Sequence, residues 1–394
     1  MQHRETYRTY YLLQICFQLL FWVPFFYQVQ KIAGVRDEWI FYIQTIYYLS
    51  FAFFELPTGI LSDRLGNKKA VLIATAIMIG ANIIPVLSAN TTSFLIHFCL
   101  VALSRSFFSG SCSAWLYNRM KAMDHAYAYK TIEGNARSYA LIARTIAWSC
   151  AGFLMELDYR WIYMATVLSC AIAFGAAYRL PKSLHSQTDN SSKKASPLDL
   201  LRQGLMKQPT LRLALIQGTG IFVMVRVVQV NLFQPILLDK DFSVSSLGVT
   251  MSAMTILESI GSKLAGKSTK ALPLLTTASL ATCTVAITLM MLAVTPKSST
   301  IVLFLLFSFF TGFALPLSKQ ILNDHISTDE ARATILSFES LFNRVLSSIV
   351  TLPLAYLVAH NGMYHYLAAV GCLCVLLAIT VFIKLRGSAK LVTA

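Results

Sequence analysis

Charge is scarce in this chain. Only 13% of its residues are Asp, Glu, Lys or Arg, about half the share of an ordinary soluble domain. Acids are scarcer still, 18 against 33 bases, which leaves a formal charge of +15. Histidines number seven and are scattered. His97 and His365 stand alone, and no Cys, His or carboxylate set has metal-ligand spacing. No Ser/His/Asp arrangement and no phosphate loop can be read, and Gly218-Thr-Gly220 is too short for a nucleotide motif. An enzyme, a resident cofactor and ATP-driven work are therefore not expected. The eight cysteines all fall in apolar runs, and Cys372 and Cys374 point to different sides of one helix. They read as core- or lipid-facing thiols rather than a disulfide framework. The apolar runs are continuous rather than alternating, which disfavours a β-barrel. The first apolar run, from near Tyr10, lacks a small-residue cleavage site and reads as a retained span.

What the chain does have is apolar length. It is 56% hydrophobic with a mean hydropathy of +0.60. Repeated stretches of about 20 residues suit membrane-spanning helices. Spans are expected at 9–30, 38–61, 70–88, 92–117, 134–155, 160–179, 210–234, 244–262, 271–294, 299–322, 329–357 and 364–384. The cations then segregate. Loops on the side of both termini hold 23 Lys and Arg, and the opposite loops hold five. A surplus of this kind would suggest nucleic acid in a soluble protein. In short loops beside a bilayer it is the positive-inside pattern, so both termini are expected in the cytoplasm and no nucleic acid is expected as a partner.

One sizeable hydrophilic interruption, 180–209, divides the chain. It reads as a cytoplasmic linker with a short amphipathic helix around Leu198–Met206, between six-helix halves at 1–179 and 210–394. The halves resemble each other weakly. Ala136-Arg137-Ser138-Tyr139-Ala140-Leu141 opens the fifth span and Ala331-Arg332-Ala333-Thr334-Ile335-Leu336 the eleventh. The fold class is thus all-α membrane protein, with twelve helices in two pseudo-symmetric halves.

Between the second and third spans lies Gly59-Ile-Leu-Ser-Asp63-Arg64-Leu-Gly66-Asn-Lys68-Lys69. A glycine pair, an Asp and three cations in so short a loop resemble the G-x-L-x-D-R-x-G-r-k-k signature of the major facilitator superfamily of transporters. Glu55-Leu-Pro-Thr-Gly59, Arg332-Ala-Thr-Ile-Leu-Ser337 and Ser109–Tyr117 are similar to segments of a prokaryotic branch with mixed, mostly unassigned substrates. The resemblance implies a secondary transporter in the cell membrane, the inner membrane of a bacterium. It implies a cytoplasmic gate from Gly59, Asp63, Arg64, Gly66 and Arg332. There Gly59 would allow close helix packing, and Asp63 would accept from the N-terminus of helix 11, which Ser327–Glu330 caps as a box. Lys68 and Lys69 read equally as ordinary cytoplasmic cations. Glu55 and Arg332 are either gate residues or membrane-edge charges. Drug–proton antiporters of the superfamily carry an Arg in helix 4 followed four residues later by Gly. Here Gly110 follows Arg105 by five, and the Gly-Pro motif of their helix 5 is absent.

Arg105, Arg144, Arg226 and Arg344 fall near mid-membrane, with Glu339 as the one comparable acid. Each costs roughly 2.5–3.5 kcal/mol at a helix centre, so each should face a cavity or a partner. In the superfamily, helices 1, 4, 7 and 10 line the central cavity, which implies Arg105 and Arg226 as lining residues. The surplus of cations suits an anionic small molecule; the alternative is a structural network around Glu339. Gln14, Gln18 and Trp22 share one face of helix 1, and Arg226 with Gln229 a face of helix 7. Gln18, Trp22, Arg105, Arg144, Arg226, Gln229 and Arg344 are the candidate substrate contacts, with Phe309, Phe310 and Phe313 as aromatic walls. Glu55, Glu258 and Glu339 are the candidate proton carriers. The expected activity is proton-coupled export of a small polar or anionic metabolite by a monomer, a carboxylate siderophore being one such cargo. Proton-symport uptake and a non-transporting sensor on the same scaffold are the alternatives.

Overall fold

The computed structural model describes residues 2–123, 129–181, 208–268, 273–324, 326 and 329–392. The linker helix expected around Leu198–Met206 lies outside the described residues. The chain divides into two compact units, 1–189 with 242–252, and 190–241 with 253–394. Among the described residues, eleven helices are long and apolar enough to cross a membrane.

The first unit contains α1 (Gln2–Gln18), α2 (Phe26–Ile32), α3 (Asp37–Leu65), α4 (Asn67–Leu87), α5 (Thr91–Ala122), α6 (Tyr129–Leu157) and α7 (Tyr159–Arg179). The first expected span, 9–30, is not one unbroken helix. It breaks after Gln18 and resumes through a 3₁₀ turn, Val23–Phe25, that holds Pro24. A break at membrane depth frees backbone groups that lipid cannot satisfy. Neighbouring helices satisfy them here. Phe21 N donates to Thr166 Oγ1 of α7 at 3.1 Å, and Trp148 Nε1 of α6 donates to the Leu20 carbonyl at 2.9 Å. Ser169 Oγ donates to the Cys16 carbonyl at 2.9 Å. The proline thus costs little, because the break is held by side chains that also pack the core.

Hydroxyls inside the helices follow the same rule. Thr45, Thr75, Thr145 and Thr166 each donate to the carbonyl four residues earlier. Ser104 reaches the Ala74 carbonyl of α4 at 2.7 Å and stitches α5 to it. Helix α3 is as long as its neighbours but is not among the eleven. Trp39, Gln44, Tyr42, Tyr47 and Tyr48 dilute its apolar character. It joins α4 through one residue, Gly66, at φ +86°. Its N–H caps α3 by donating to the Ser62 carbonyl at 2.9 Å. Only glycine takes that backbone geometry without strain, which accounts for Gly66 structurally. Lys68, two residues on, donates to the Tyr178 carbonyl at 2.8 Å near the C-terminus of α7, where the helix dipole favours a cation.

The second unit contains α8 (Pro209–Val225), a π-helical segment (Arg226–Leu232), α9 (Phe233–Asp239), most of α10 (Val244–Ser268), α11 (Leu274–Val294), α12 (Lys297–Asp324), α13 (Asp329–Ala359) and α14 (Met363–Val392). Leu211, Leu215, Ala278, Leu317, Ile321 and Ile335 pack one core among α8, α11, α12 and α13. The π segment leaves backbone to be satisfied, and Asn231 does so. Its Nδ2 donates to the Arg226 carbonyl at 3.0 Å and to Thr351 Oγ1 of α13 at 3.1 Å. Helices α10 and α12 cross at Gly261 and Gly312. A Cβ on either would collide with a backbone carbonyl, that of Phe309 or Glu258 respectively.

Candidate functional site

Each unit encloses a polar cavity among its helices, described in turn. In the first, α1, α5 and α6 surround a cavity of about 490 Å³. Helical spacing puts Gln14 and Gln18 of α1 on its wall, and Glu133, Arg137, Leu141 and Arg144 of α6 on one face at intervals of four, four and three. Ser109, Cys112 and Ser113 of α5 complete it with Phe108, whose ring stacks on Phe17 at 3.6 Å. The centre of this wall is Glu133, which is buried. Tyr10 donates to its Oε2 at 2.5 Å, Ser113 to Oε1 at 3.1 Å, and Arg137 Nε to Oε1 at 3.3 Å. Gln14 Nε2 donates to the Tyr10 hydroxyl at 2.9 Å, and Gln18 Nε2 to Gln14 Oε1 at 3.2 Å, which continues the chain up α1. Arg144 lies with its guanidinium 4.7 Å from the Trp148 ring centre, a cation–π contact within one helix.

The second cavity, about 220 Å³, is walled by α8, α12 and α13. Gly218, Phe222 and Arg226 face it at intervals of four. Ser318 and Lys319 come from α12, and Glu339, Ser340, Asn343 and Arg344 from α13. The Arg226 guanidinium sits 4.8 Å from the Phe222 ring centre, and its buried Nε has no hydrogen-bond partner among the described residues. Glu339 is 6% exposed and forms no hydrogen bond or ion pair with any described residue. The contrast with Glu133 is chemical. One acid accepts from three donors; the other accepts from none among the described residues. Each cavity carries more cations than acids.

The candidates from sequence distribute as follows. Gln18 and Arg144 line the first cavity, and Arg226, Arg344 and Glu339 the second. Arg105 lines neither of these cavities and donates to the Tyr47 hydroxyl of α3 at 3.1 Å. Trp22 is buried in an aromatic cluster with His97, Phe98 and Tyr163. Gln229 turns away from the cavity and donates to Ser308 Oγ at 3.1 Å. Phe309 packs its backbone against Gly261. Glu55 and Glu258 are half-buried and engaged with neighbours. Asp63 and Arg64 are exposed. A Cβ on Gly59 would meet nothing within 4 Å among the described residues, so the close packing expected there is not seen. The side chain of Arg332 and the capping box at 327–330 lie outside the described residues.

Beside Glu339, the acid set among the mid-membrane arginines by the sequence, the structure buries a second acid, Glu133, near the start of α6. It was lost because helix five was expected to start at residue 134, whereas α6 starts at Tyr129 and carries Glu133 one turn inside. The signal was available: Tyr10 extends the Gln14/Gln18 stripe backward by four, and Glu133 stands four before Arg137. Lys319 and the Asn231–Thr351 contact gave no such signal.

No curated protein matches the sequence. Solved structures match the fold across nearly the whole chain. The nucleoside transporter NupG superposes with a TM-score of 0.77 at 16% identity, covering 98% of this chain and 100% of its own. An autoinhibited POT family peptide transporter gives 0.76 at 11% identity, covering 97% of each chain. A D-xylose–proton symporter gives 0.73 at 11% identity, also covering 97% of each. At such identities the likeness is one of fold, and it joins a direct match of residues 10–351 to a family model. The chain belongs to the Major Facilitator Superfamily.

Proposed function

We propose that the protein is a secondary active transporter that exports a small polar or anionic organic metabolite by alternating access, driven by protons. The observation that carries the reading is the charge of the two cavities. Arg226, Lys319 and Arg344 outnumber Glu339 in one, and Arg137 and Arg144 outnumber Glu133 in the other. An anionic cargo offsets that excess through charge-assisted hydrogen bonds. A carboxylate-rich compound such as a carboxylate siderophore has the matching chemistry. The solved relatives carry nucleosides, peptides or xylose by their names, and so leave the cargo class to this chain's own residues.

Proton coupling falls to Glu339 rather than Glu55 or Glu258. Glu339 is buried in the wall of the second cavity with Arg226, Lys319 and Arg344, whereas Glu55 and Glu258 line neither cavity. Helix α3 is the twelfth span of this reading, with six-helix halves at 1–179 and 210–394, the 180–209 linker and both termini in the cytoplasm. The protein acts as a monomer in the bacterial inner membrane. Gly59, Asp63, Arg64, Gly66 and Arg332 form its cytoplasmic gate in this reading, and the resemblance of the E-x-P-T-G and R-A-T-x-L-S segments supports a prokaryotic branch.

Flux in proteoliposomes tests the reading. An imposed pH gradient should drive organic anions such as citrate against their gradient, and neutral or cationic compounds should not follow. Movement with the proton instead of against it would convert export to symport uptake. Absence of flux for every compound, with binding retained, would favour a sensor.

A further inference from the structure

We propose that Arg137 is the docking contact for an oxyanion group in the first unit's cavity, and that Glu133 is the residue that positions it. This refines the anionic-cargo reading above and rests on it. The geometry is asymmetric. The Arg137 side chain is 74% exposed and that of Glu133 is 10% exposed, although the two form an ion pair at 3.3 Å. An ordinary surface pair exposes both partners and contributes little. Here the acid is fixed within the wall, and the arginine beside it lines the cavity with its side chain exposed.

The fixing comes from three helices. Tyr10 of α1, Ser113 of α5 and Arg137 of α6 all donate to the one carboxylate. These three bonds hold the Glu133 carboxyl group in place, and it takes the guanidinium by its Nε–H edge. A guanidinium has five N–H donors in a planar fork. The two terminal amines of Arg137 bond no other described residue. Their edge matches two oxygens of a carboxylate or a phosphate, which Lys cannot reproduce. Arg144 stands two turns further along the same helix and lines the same cavity, so an anion bound at Arg137 has a second cation within the wall.

Thiol labelling tests this without knowledge of the cargo. Ser138 also lines the cavity. The variant Ser138→Cys is reacted with an anionic reagent, 2-sulfonatoethyl methanethiosulfonate, and a cationic one, 2-(trimethylammonium)ethyl methanethiosulfonate. Labelling of the parent chain is subtracted. The anionic reagent should react faster, and adding Arg137→Gln should lower the anionic-to-cationic rate ratio at least fivefold. An unchanged ratio overturns the docking role. Glu133→Gln decides the positioning role by sign. Loss of a negative charge alone raises the anionic rate, whereas loss of the Nε anchor lowers it. A lower ratio supports the proposal and a higher one overturns it. Tyr10→Phe keeps the charge and removes one anchor, so it should give a smaller fall, and it serves if Glu133→Gln does not fold. A cationic cargo found by flux would sink the proposed function and leave this ratio unaltered.

Discussion

The Tyr10 hydroxyl and the Glu133 carboxylate meet at 2.5 Å across 123 positions of sequence. The contact ties α1 to α6 at a buried acid. Losing one hydrogen bond to a charged group costs about 1.5–3 kcal/mol. Tyr10→Phe should therefore lower the thermal unfolding midpoint in detergent. Tyr11→Phe is the control, because the Tyr11 ring meets Tyr139 edge-on and no hydrogen bond of its hydroxyl is found among the described residues. Equal midpoints for both variants would show that the contact contributes nothing.

Glu339 and Glu133 should respond differently to neutralisation. Glu339→Gln is expected to abolish proton-driven accumulation while leaving cargo counterflow intact, since exchange needs no titration. Glu133→Gln should keep gradient-driven accumulation and weaken cargo affinity instead. Uphill transport by the Glu339→Gln variant would place the coupling elsewhere.

Arginine substitutions should divide by cavity. Arg226 lines the second cavity, and Arg105 is engaged with Tyr47. Arg226→Gln should weaken binding of an anionic cargo tenfold or more, in line with a lost charged hydrogen bond of about 1.5–3 kcal/mol. Arg226→Lys should rescue in part. Arg105→Gln should leave affinity within threefold. Binding isotherms on monodisperse protein check this, and equal losses at both positions would remove the distinction.

The crossing of α10 and α12 should tolerate no side chain. A Cβ at Gly312 runs into the Glu258 carbonyl, and one at Gly261 into the Phe309 carbonyl. Overpacking of this kind costs about 1–3 kcal/mol. Gly312→Ala should lower the unfolding midpoint, and Gly59→Ala, with open space around it, should not. A stable Gly312→Ala variant would mean the helices separate easily.

Asp63→Asn tests the gate. If Asp63 accepts from a helix N-terminus during closure, the amide forfeits a charge–dipole contribution of roughly 0.3–2 kcal/mol. Initial transport rates in vesicles should fall at normal expression. Unchanged rates would leave Asp63 as an exposed cytoplasmic acid.

The family and the helices were legible because lipid imposes simple rules. Apolar runs of sufficient length and the loop at Gly59–Lys69 carry that information locally. Side-chain pairing across helices was less so. Arg105 reads as a cavity residue from its depth and from the resemblance, and its contact with the Tyr47 hydroxyl gave no signal in the sequence. Trp22 shares a stripe with Gln18, yet the helix ends at Gln18, so the stripe's phase is lost before Trp22 is reached. Glu133 was missed through a boundary error of one turn. Helix ends fray in sequence, whereas in the structure Tyr10, Ser113 and Arg137 fix that residue from three sides.

The π segment at Arg226–Leu232 offsets the phase of one span. Before it, Gly218, Phe222 and Arg226 turn a single stripe toward the cavity. Beyond it, Phe233, Gln234, Pro235, Ile236 and Leu237 are buried all round. An unbroken α-helix carries the orientation of its first residue through to its last, each residue turned about 100° from the one before. Here the wide turn shifts that phase by a fixed offset, which Asn231 braces through the Arg226 carbonyl and Thr351. The Gly218–Arg226 stripe can thus face the cavity while the residues beyond the π segment are buried on every side.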